Sequence, residues 1–373
     1  MPREEIIAEA DRIMTICNAC RYCEGYCAVF PAMERRLSFT SGDLQYLANL
    51  CHQCGECYYA CQYAPPHEFA VNVPQTLAQL RVQSYQDYAW PDLLGSAFHH
   101  NGVTTGLAIA AGLVMMLLLA VMIGGDPGVL WTAIPGADFY AIIPHDVMVT
   151  AFGAVALFVV ASLGIGVSRF WKAAGESAAA LSGAPAWREA LSDALSLRYL
   201  HGGGEDCTYP GEFRSSARRW LHHLTFYGFM LCFAATCVAT IYHYLLGWHA
   251  PYPYLSVPKI LGTVGGAGLV VGPVGLLWLK TRRDPRPADK SHSALDAGFT
   301  VLLILTSVSG LMLMLLRASP ALGLLLVLHL GLVMALFLTL PYGKFVHGLY
   351  RGAALLKNAL EKRRPSLDVA GGE

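Results

Sequence analysis

The sequence predicts a mainly α-helical protein in which a small cysteine-rich domain precedes a six-helix transmembrane bundle. Three observations lead to this fold class. Of the 373 residues, 55% are hydrophobic and 14% are charged, whereas soluble domains carry about 25% charged residues. Eight of the eleven cysteines lie in the first hundred residues. After Pro91 the chain contains six apolar stretches, each long enough to cross a bilayer as a helix of about 20 residues.

Composition and charge exclude several classes of function. Lys and Arg together number 26, as do Asp and Glu, so the formal net charge is zero. No basic surface for nucleic acid is indicated, and we expect no nucleic-acid partner. Intrinsic disorder is excluded because it needs high charge and few apolar residues. The N-terminus is charged and helical in pattern and lacks the layout of a secretory signal, so we expect the cysteine-rich domain to stay in the cytoplasm.

The apolar stretches divide the chain into four parts. We expect a cysteine-rich domain over residues 1–90, a linker over 91–102, a membrane domain over 103–346 with a cytoplasmic loop at 168–220, and a cytoplasmic tail over 347–373. The predicted spans are residues 103–123, 145–167, 221–246, 257–279, 295–316 and 320–341. The fourth span contains Gly262-xxx-Gly266 and Gly268-xxx-Gly272, patterns that let a neighbouring helix approach closely.

Loop charges predict the orientation of the spans. In order, the five loops and the C-terminal tail carry 0, 7, 1, 5, 1 and 6 Lys and Arg residues. Positively charged loops remain in the cytoplasm, so we expect six spans in a bacterial inner membrane with both termini cytoplasmic. The first hundred residues carry six basic and eleven acidic groups. We expect this acidic domain to dock over the basic cytoplasmic loops.

The loop at 168–220 contains a predicted amphipathic helix. Trp187, Leu191, Leu195 and Tyr199 recur at every fourth residue, which is the spacing of one helix face. We expect this face either to lie on the membrane surface or to pack against the N-terminal domain. A short helix packed within the loop is an equal alternative.

Two boxes of four cysteines predict two [4Fe–4S] clusters. The boxes are Cys17, Cys20, Cys23 and Cys27, and Cys51, Cys54, Cys57 and Cys61. Both have the 2-2-3 spacing of bacterial ferredoxins, in which three thiolates hold one cluster and the fourth serves the other. The expected ligand sets are Cys17, Cys20, Cys23 with Cys61, and Cys51, Cys54, Cys57 with Cys27. Residues 1–90 are therefore predicted to form a ferredoxin-like domain.

Zinc and disulfides are the alternatives for these cysteines. Structural zinc takes four ligands, commonly as two pairs, and has no need of duplicated three-cysteine loops. Disulfides are disfavoured in the cytoplasm. Cys207, Cys232 and Cys237 lack the box spacing. Of these, Cys232 and Cys237 lie in an apolar helix, where small core side chains are expected.

Five histidines in or near the spans are candidate haem ligands. Histidine inside a span is costly and is more often functional. His329 and His347 are 18 residues apart, which is five helical turns, so we expect them on one face of span 6. His222 or His223 can then face His347, and His243 can face His329. Neutral imidazoles on antiparallel helices suit one or two bis-histidine b-type haems.

Other histidines compete for these roles. His99, His100 and His145 each lie at the end of a span. A single haem on the cytoplasmic side is the alternative to two, and interfacial side chains without a ligand are the alternative to both. The chain has no GxGxxG fingerprint after a strand, so we expect no flavin in this chain and an external electron donor.

Four segments of the sequence resemble the tricarballylate (citrate) utilisation protein B family. They are CQYAPPHEFAVNVPQTLAQLR, HHLTFYGFMLCF, IYHYLLGWHAPYPYLSVPKILGTVGGAG and HLGLVMALFLTLPYGKFVHGLYR, and with the cysteine boxes the resemblance covers most of the chain. Span 6 is also similar in layout to the cytochrome b subunit of respiratory nitrate reductase. The resemblance implies an electron-transfer protein that reoxidises the flavin of a FAD-dependent tricarballylate dehydrogenase in the cytoplasm.

A lipid-soluble quinone is the expected acceptor, because a membrane bundle has little other reason to hold haem. Tyr342, Lys344 and His347 are candidate quinone contacts beside the cytoplasmic haem. The rival functions are a quinol-driven reductase of a soluble acceptor, a transporter with regulatory clusters, and a structural metal-binding adaptor. A transporter needs charged relays deep in the spans, whereas Asp146 and Asp296 lie at span ends.

Overall fold

The computed structural model describes residues 3–124, 126–200, 208 and 213–364. Within these residues the fold consists of fourteen α-helices and short 3-10 helices without a β-strand, so the predicted mainly α fold is confirmed. Six helices precede the bundle: α1 (Arg3–Cys20), α2 (Val29–Glu34), α3 (Ser41–Leu50), α4 (Glu56–Tyr59), α5 (Val73–Asp87) and α6 (Asp92–Ala97). The other eight are α7 (Asn101–Gly124), α8 (His145–Ala173), α9 (Ala184–Leu195), α10 (Ala217–Leu245), α11 (Val257–Thr281), α12 (Lys290–Leu315), α13 (Leu322–Thr339) and α14 (Val346–Glu361).

Six of these helices are long and apolar enough to cross a membrane, as the sequence predicts. Their candidate spans are Asn101–Ile123, His145–Ala173, Ala217–Leu245, Val257–Thr281, Ser293–Leu315 and Leu322–Thr339. α13 is the central helix, since 61% of its most apolar stretch is buried, compared with 6% for α10. Most of the apolar stretch of the other five spans is not buried. Such a large exposed apolar surface is typical of helices that lie in the hydrocarbon of a membrane.

The helices of the bundle alternate in direction. One end of the bundle contacts the N-terminal domain. We call this the domain-side end and the opposite one the far end. Arg218, at the start of α10, donates to the carbonyl oxygen of Gln53 at 2.7 Å. Arg169, near the end of α8, pairs with Asp92 at 2.7 Å. With this alternation, both ends of the described chain lie at the domain-side end.

α10 and α11 pack backbone against backbone through glycines. A Cβ added at Gly265 would lie 2.8 Å from Cys232 Sγ and 2.8 Å from the carbonyl oxygen of Gly228. The close approach predicted from the GxxxG patterns is therefore confirmed. Gly262 is not part of the tight contact, because a Cβ there would meet only Ala235 Cβ at 3.8 Å. Cys232 acts in this interface as a small packed side chain.

The sixth span is shorter than predicted, and the helix breaks after it. α13 and α14 are separated by residues 340–345, a turn that contains Pro341 and Gly343. Proline lacks the N–H that a helix needs and disfavours helical backbone in the residue before it. The expectation that His329 and His347 share one continuous helix is therefore wrong.

α14 is part of the N-terminal domain, whereas the sequence predicts a separate tail from residue 347. Its side chains Tyr350 and Leu355 belong to the same buried core as Ile13, Phe30 and Leu47. These residues come from opposite ends of the chain. The N-terminal domain is therefore completed by the last helix, and the bundle lies between the two parts in sequence.

Ion pairs join the acidic N-terminal domain to the basic loops, as predicted. Glu56 of α4 pairs with Arg214 at 2.9 Å, and Asp92 of α6 pairs with Arg169 at 2.7 Å. In both pairs the acid belongs to the N-terminal domain and the base to the segment around 168–220. The Arg169–Asp92 pair is exposed, and such pairs contribute little stability, so it selects the docking geometry more than it strengthens it.

The predicted helix in the long loop is present as α9, and its apolar face points outward. α9 packs against α14 and buries Ala186 and Ala190. Trp187, Leu191 and Leu195 are 40%, 52% and 45% exposed. The exposure of these three residues favours the interfacial alternative. Tyr199, the fourth residue of the predicted face, lies beyond the end of α9 and packs against His52 of the N-terminal domain, with ring centres 5.8 Å apart.

Candidate functional site

Each cysteine box lies at the end of a helix, and both boxes contain a residue with left-handed backbone at the same position. The first box begins in the last turn of α1, and the second begins directly after α3. The residue after the second cysteine has left-handed backbone in both boxes, with φ 55° at Arg21 and 88° at Gly55. A Cβ at Gly55 would also lie 3.1 Å from the carbonyl oxygen of Thr208, so this position favours glycine twice over. The boxes differ at the residue before the second cysteine, because Gln53 also has left-handed backbone, with φ 56°, whereas its counterpart Ala19 lies within α1.

The eight cysteines surround two cavities. The first, of about 240 Å³, is lined by Cys17, Cys20, Cys23, Cys57 and Cys61. The second is smaller and is lined by Cys27, Cys51, Cys54 and Cys57. The fourth cysteine of each box thus reaches the cavity of the other box. This is the exchange that the 2-2-3 spacing predicts, while the assignment of the ligands remains a prediction.

Burial and mutual repulsion make the thiols difficult to ionise without a metal. Burial raises the pKa of Cys17 to about 12, and the neighbouring Cys61 and Cys23 contribute to the rise. Burial, followed by the charge of Cys54, raises the pKa of Cys27. The thiolate is the form that binds metal. Buried thiols can therefore ionise together only beside a strong positive charge, which a metal cluster supplies.

The arrangement of the thiols does not fit a single metal ion. Among the described residues, no three Cys, His, Asp or Glu side chains converge on one ion position. A zinc site needs four ligands at about 2.0–2.3 Å from one point. The first set of thiols instead lines a cavity whose wall also includes Phe30 and Val73. A multi-iron cluster fits this geometry better than zinc does.

Two arginines, one on the bundle helix α10 and one on α14, hold the loop of the second box. Arg218, in the first turn of α10, donates to the carbonyl oxygens of Gln53 at 2.7 Å and His52 at 3.1 Å. Arg351, on α14, donates to the carbonyl oxygen of Cys51 at 2.9 Å. Burial lowers the pKa of Arg351 to about 10, which leaves it charged at neutral pH. The loop that starts at Cys51 is therefore held between two positive charges.

The same two helices bring together a pair of histidines. His222 lies one turn after Arg218, and His347 lies one turn before Arg351. The two imidazole centres are 6.0 Å apart, and the ring planes are inclined by 80°. Two imidazoles that bind one metal from opposite sides, each at about 2 Å, hold their centres roughly 6 Å apart. The structure thus pairs His347 with His222 and not with His223.

Hydrogen bonding and charge leave His347 in the form of a metal ligand. Its Nδ1 lies 2.6 Å from the carbonyl oxygen of Lys344. A carbonyl can only accept, so Nδ1 carries the proton and Nε2 keeps a lone pair. Burial lowers the pKa of His347, and the charges of Lys344 and Arg351 lower it further, so the ring is neutral. Nδ1 of His222 is buried without a hydrogen-bond partner, as is Nε2 of His223, so the ring separation is what selects His222.

The second predicted pair, His243 and His329, is not brought together. His329 Nδ1 lies 3.1 Å from Ser309 Oγ, and the ring packs against Gly310 of the same helix, α12. His243 stacks on His145 with ring centres 3.9 Å apart and 9° between the planes. This is van der Waals contact, which leaves no room for a metal between the rings. The expectation that His243 faces His329 is wrong, because His329 lies on the side of α13 that packs on α12.

The remaining predicted ligands have other neighbours or are not described. The ring of His223 lies 6.0 Å from that of Trp220 and 5.7 Å from that of Tyr227. Both contacts are on α10 itself, so His223 is turned away from His347. The side chain of His99 and all of Cys207 lie outside the described residues.

Sequence analysis missed Arg218 and Arg351 as functional residues. Their signal is a spacing, Arg218-xxx-His222 on one helix and His347-xxx-Arg351 on the other. Residues four apart share a helix face, so each spacing aligns an arginine with a histidine. The charge of these arginines predicts only a cytoplasmic position and not their hydrogen bonds to the loop of the second box.

Comparison with known proteins shows the family to which the chain belongs. A family model described as Citrate utilization protein B matches residues 101–368, and one described as Citrate utilization protein B Fer4-like domain matches residues 10–87. A curated Escherichia coli protein named Citrate utilization protein B is 52% identical over 361 residues, which cover 96% of this chain and 93% of that protein. The chain belongs to the citrate utilization protein B family.

Family membership fits both halves of the molecule. The Fer4-like match in this citrate utilization protein B chain spans both cysteine boxes, and the other match spans all six candidate membrane helices. The resemblance found in the four sequence segments is therefore confirmed. No solved structure matches the chain.

Proposed function

We propose that this chain is the membrane component of an oxidoreductase. It takes electrons from the reduced flavin of a soluble FAD-dependent tricarballylate dehydrogenase and passes them to membrane quinone. The observation that carries the proposal is that the fourth cysteine of each box lines the cavity of the other box, next to a pair of buried histidines. This combination is typical of a chain of one-electron carriers and has no use in a structural zinc site.

The donor sets fit two iron–sulfur clusters and one b-type haem. The proposed ligands are Cys17, Cys20, Cys23 and Cys61 for one [4Fe–4S] cluster, Cys51, Cys54, Cys57 and Cys27 for the other, and His222 and His347 for the haem. When bound, these groups supply the one-electron redox chemistry. The chain's own task is to hold them dry, fixed and close together.

The order of the sites supports electron entry from solvent and exit toward the bundle. The first cavity lies near the surface, with Tyr22 at its rim 66% exposed. The second is covered by Tyr199, and its loop is bound by Arg218 and Arg351. Each of these arginines is one helical turn from a proposed haem ligand. A soluble donor can therefore reach the first cavity, while the second adjoins the bundle.

We propose one haem, at the domain-side end. The pair His222 and His347 has the separation of two ligands of one metal. At the far end, His145 and His243 touch each other directly, and His329 is hydrogen-bonded to Ser309. These far-end contacts give no support to a second haem.

We also propose that the domain-side end faces the cytoplasm of a bacterial cell. The connections at this end carry 7, 5 and 6 Lys and Arg residues, while those at the far end carry 0, 1 and 1. This asymmetry is the one that sets orientation during insertion. It places the proposed entry site where a soluble dehydrogenase is found.

The contacts of Asp296 argue against the transporter alternative. Asp296 lies near the domain-side start of α12 and pairs with Lys344 at 2.7 Å and with Lys280 at 3.7 Å. A carboxylate that is neutralised by two ammonium groups at the end of the bundle does not provide a relay through its middle.

Metal analysis and optical spectra of the detergent-purified protein test the proposal. Two clusters require about eight iron atoms and eight acid-labile sulfides, with one further iron in the haem. Cys54→Ser should lower cluster iron by up to about half. Cys237→Ser is the matched control, because Cys237 is exposed on α10 and away from both boxes. A colourless protein that contains zinc would overturn the proposal.

Anaerobic mixing tests the direction of electron flow. The reduced dehydrogenase should reduce the haem of the wild-type protein, and quinone should then reoxidise it. Cys54→Ser should block the first step and leave dithionite reduction of the haem intact. If quinol reduced the haem rapidly and the reduced dehydrogenase reduced it slowly, the result would favour the quinol-driven reductase instead.

A further inference from the structure

A third cavity, of about 630 Å³, lies where the N-terminal domain meets the bundle. One wall is formed by α1 and α5, and the other by residues 98–103 and 289–295 at the starts of α7 and α12. Among the described residues it shares no lining side chain with either cysteine cavity. Pockets for small organic ligands occupy about 300–1,000 Å³, so this cavity has the volume of a ligand site.

The lining combines apolar surface with hydrogen-bond donors. Phe98 and Val103 supply apolar wall, and Gln83, His100 and Lys290 supply an amide, an imidazole and an ammonium group. All three polar groups can donate to a carbonyl oxygen. A ligand that is flat, largely apolar and carries carbonyl groups fits such a lining.

The cavity lies at the level where the chain enters the candidate membrane segments. The span of α7 begins at Asn101, and that of α12 begins at Ser293. Val103 in the lining is 65% exposed, and α6, which leads into this region, exposes Leu93 and Leu94 at 79% and 40%. Apolar surface is therefore exposed at and near the cavity, on the same side as the candidate membrane segments, where a lipid-soluble molecule can approach it.

The cavity lies close to the cysteine cavities and to the histidine pair. Val73 at the start of α5 lines both cysteine cavities, and Gln79 on the same helix lines this one. Six residues of helix correspond to about 9 Å. Tyr85, also in the lining, has its ring centre 5.7 Å from that of Tyr350, which lies one turn after His347. The cavity is thus close to the proposed clusters and to the proposed haem.

We propose that this cavity binds the head group of a membrane quinone. The inference rests on the proposed function and gives its acceptor a location. Reduction of one quinone takes two electrons and two protons and yields one quinol. The electrons come from the reduced flavin of the donor, and the protons come from solvent by way of His100 and Lys290, which are both exposed.

Two glycines on α7 provide a matched pair of variants. Gly102 lines the cavity, and Gly106 lies one turn further along the same helix face. A Cβ added at either position meets no atom within 4 Å. Gly102→Phe therefore adds a bulky side chain at the cavity wall, with open space at its Cβ, and Gly106→Phe adds the same side chain at a residue that is not in the lining. Both changes replace a helical glycine, so their effects on helix formation are alike.

Binding of ubiquinone-1 to the purified full-length protein tests the site. Gly102→Phe should weaken binding at least about tenfold, and Gly106→Phe should change it less than about twofold. A photoreactive azidoquinone should label peptides that contain residues 98–103 or 289–295 in the wild type. Unchanged ubiquinone-1 binding by Gly102→Phe, or labelling confined to the far end, would overturn the site.

Reoxidation separates failure of this site from failure of the proposed function. After reduction with dithionite, ferricyanide should oxidise the wild type and both variants at equal rates, while ubiquinone-1 should oxidise Gly102→Phe at least about tenfold more slowly than the wild type. A wild-type protein that ubiquinone-1 does not oxidise would overturn both the acceptor and the site. Equal rates for the wild type and Gly102→Phe would overturn the site alone.

Discussion

At the scale of single residues, spacing predicts the cysteines better than the histidines. All four residues of a cysteine box lie within one short segment, so the 2-2-3 spacing already contains their geometry. His222 and His223 are neighbours in sequence, and the choice between them depends on how α10 is rotated. That rotation is set by glycine contacts with α11, which local spacing does not reveal.

His222→Ala should remove the b-type haem. The change deletes one of the two imidazoles whose centres are 6.0 Å apart, and a single axial ligand holds haem poorly. We expect haem per protein to fall below about a tenth of the wild-type amount, measured from the pyridine-complex spectrum. His223→Ala is the matched control and should retain its haem. The reverse result would reassign the ligand to His223.

Arg218→Gln should loosen the loop of the second cysteine box. The side chain would lose charged hydrogen bonds to the carbonyl oxygens of His52 and Gln53, which typically contribute about 1.5–3 kcal/mol. Hydrogen exchange at residues 51–57 should become faster. Arg219→Gln, whose arginine donates to the carbonyl oxygen of Ser196, should leave that exchange unchanged. Equal protection in both variants would show that Arg218 does not fix the loop.

At the scale of helices, the six spans were predictable because the length of an apolar run is a local property. α14 was not, since its apolar residues are interrupted by charged ones and its partner helices α3 and α9 lie far away in sequence. The break at Pro341 carries a local signal, but the apolar run before it and the regular histidine spacing favoured one long helix. The position of α14 follows from long-range burial with α3 and α9.

Gly265→Ala should push α10 away from α11. The added Cβ would lie 2.8 Å from Cys232 Sγ and from the carbonyl oxygen of Gly228, and overpacking of this kind typically costs about 1–3 kcal/mol. The thermal midpoint of the purified protein should fall, and haem should be lost because His222 moves with α10. Gly262→Ala, with its nearest contact at 3.8 Å, should behave like the wild type. A stable Gly265→Ala protein would contradict the close packing.

Glu361→Gln should weaken the attachment of α14 to the N-terminal domain. Glu361 is 9% exposed and pairs with Arg36, which is 10% exposed, and it also accepts from the Tyr46 hydroxyl at 3.0 Å. Because Arg36 keeps its pair with Asp43 at 2.6 Å, the expected cost is that of lost hydrogen bonds to a charged group, about 1.5–3 kcal/mol. Glu189→Gln, which breaks more exposed pairs with Lys362 and Arg363, should cost under about 1 kcal/mol. Comparable losses of thermal stability in the two variants would be inconsistent with this difference.

At the scale of the whole molecule, charge and hydropathy together predicted the arrangement that the structure shows. The loops that are rich in Lys and Arg all lie at the domain-side end, and the acidic domain pairs with them. The third cavity was not predictable, because its walls combine residues from the start, the middle and the end of the chain. Of the three quinone contacts expected from the sequence, Tyr342 is in the cavity wall, whereas Lys344 and His347 are not among its lining residues.

Reporter fusions test the orientation of the whole molecule. Alkaline phosphatase is active only outside the cytoplasm. Fused at position 131 in the first loop of the bundle it should be active, and fused after residue 364 it should be inactive, because positively charged connections remain inside. A cytoplasmic reporter at the same two positions should show the opposite pattern. Activity of alkaline phosphatase at the C-terminal fusion would reverse the orientation.

Because α1 and α14 share one buried core, the bundle is an insertion within a single folded unit. A ribosome releases the first residues of a chain well before the last ones, so the nascent N-terminal domain must wait for Tyr350 and Leu355 to close its core. Membrane insertion of six helices comes between these two events. Maturation of this protein therefore has a built-in order: the bundle is synthesised first, and only then can the core that supports the cysteine loops be completed.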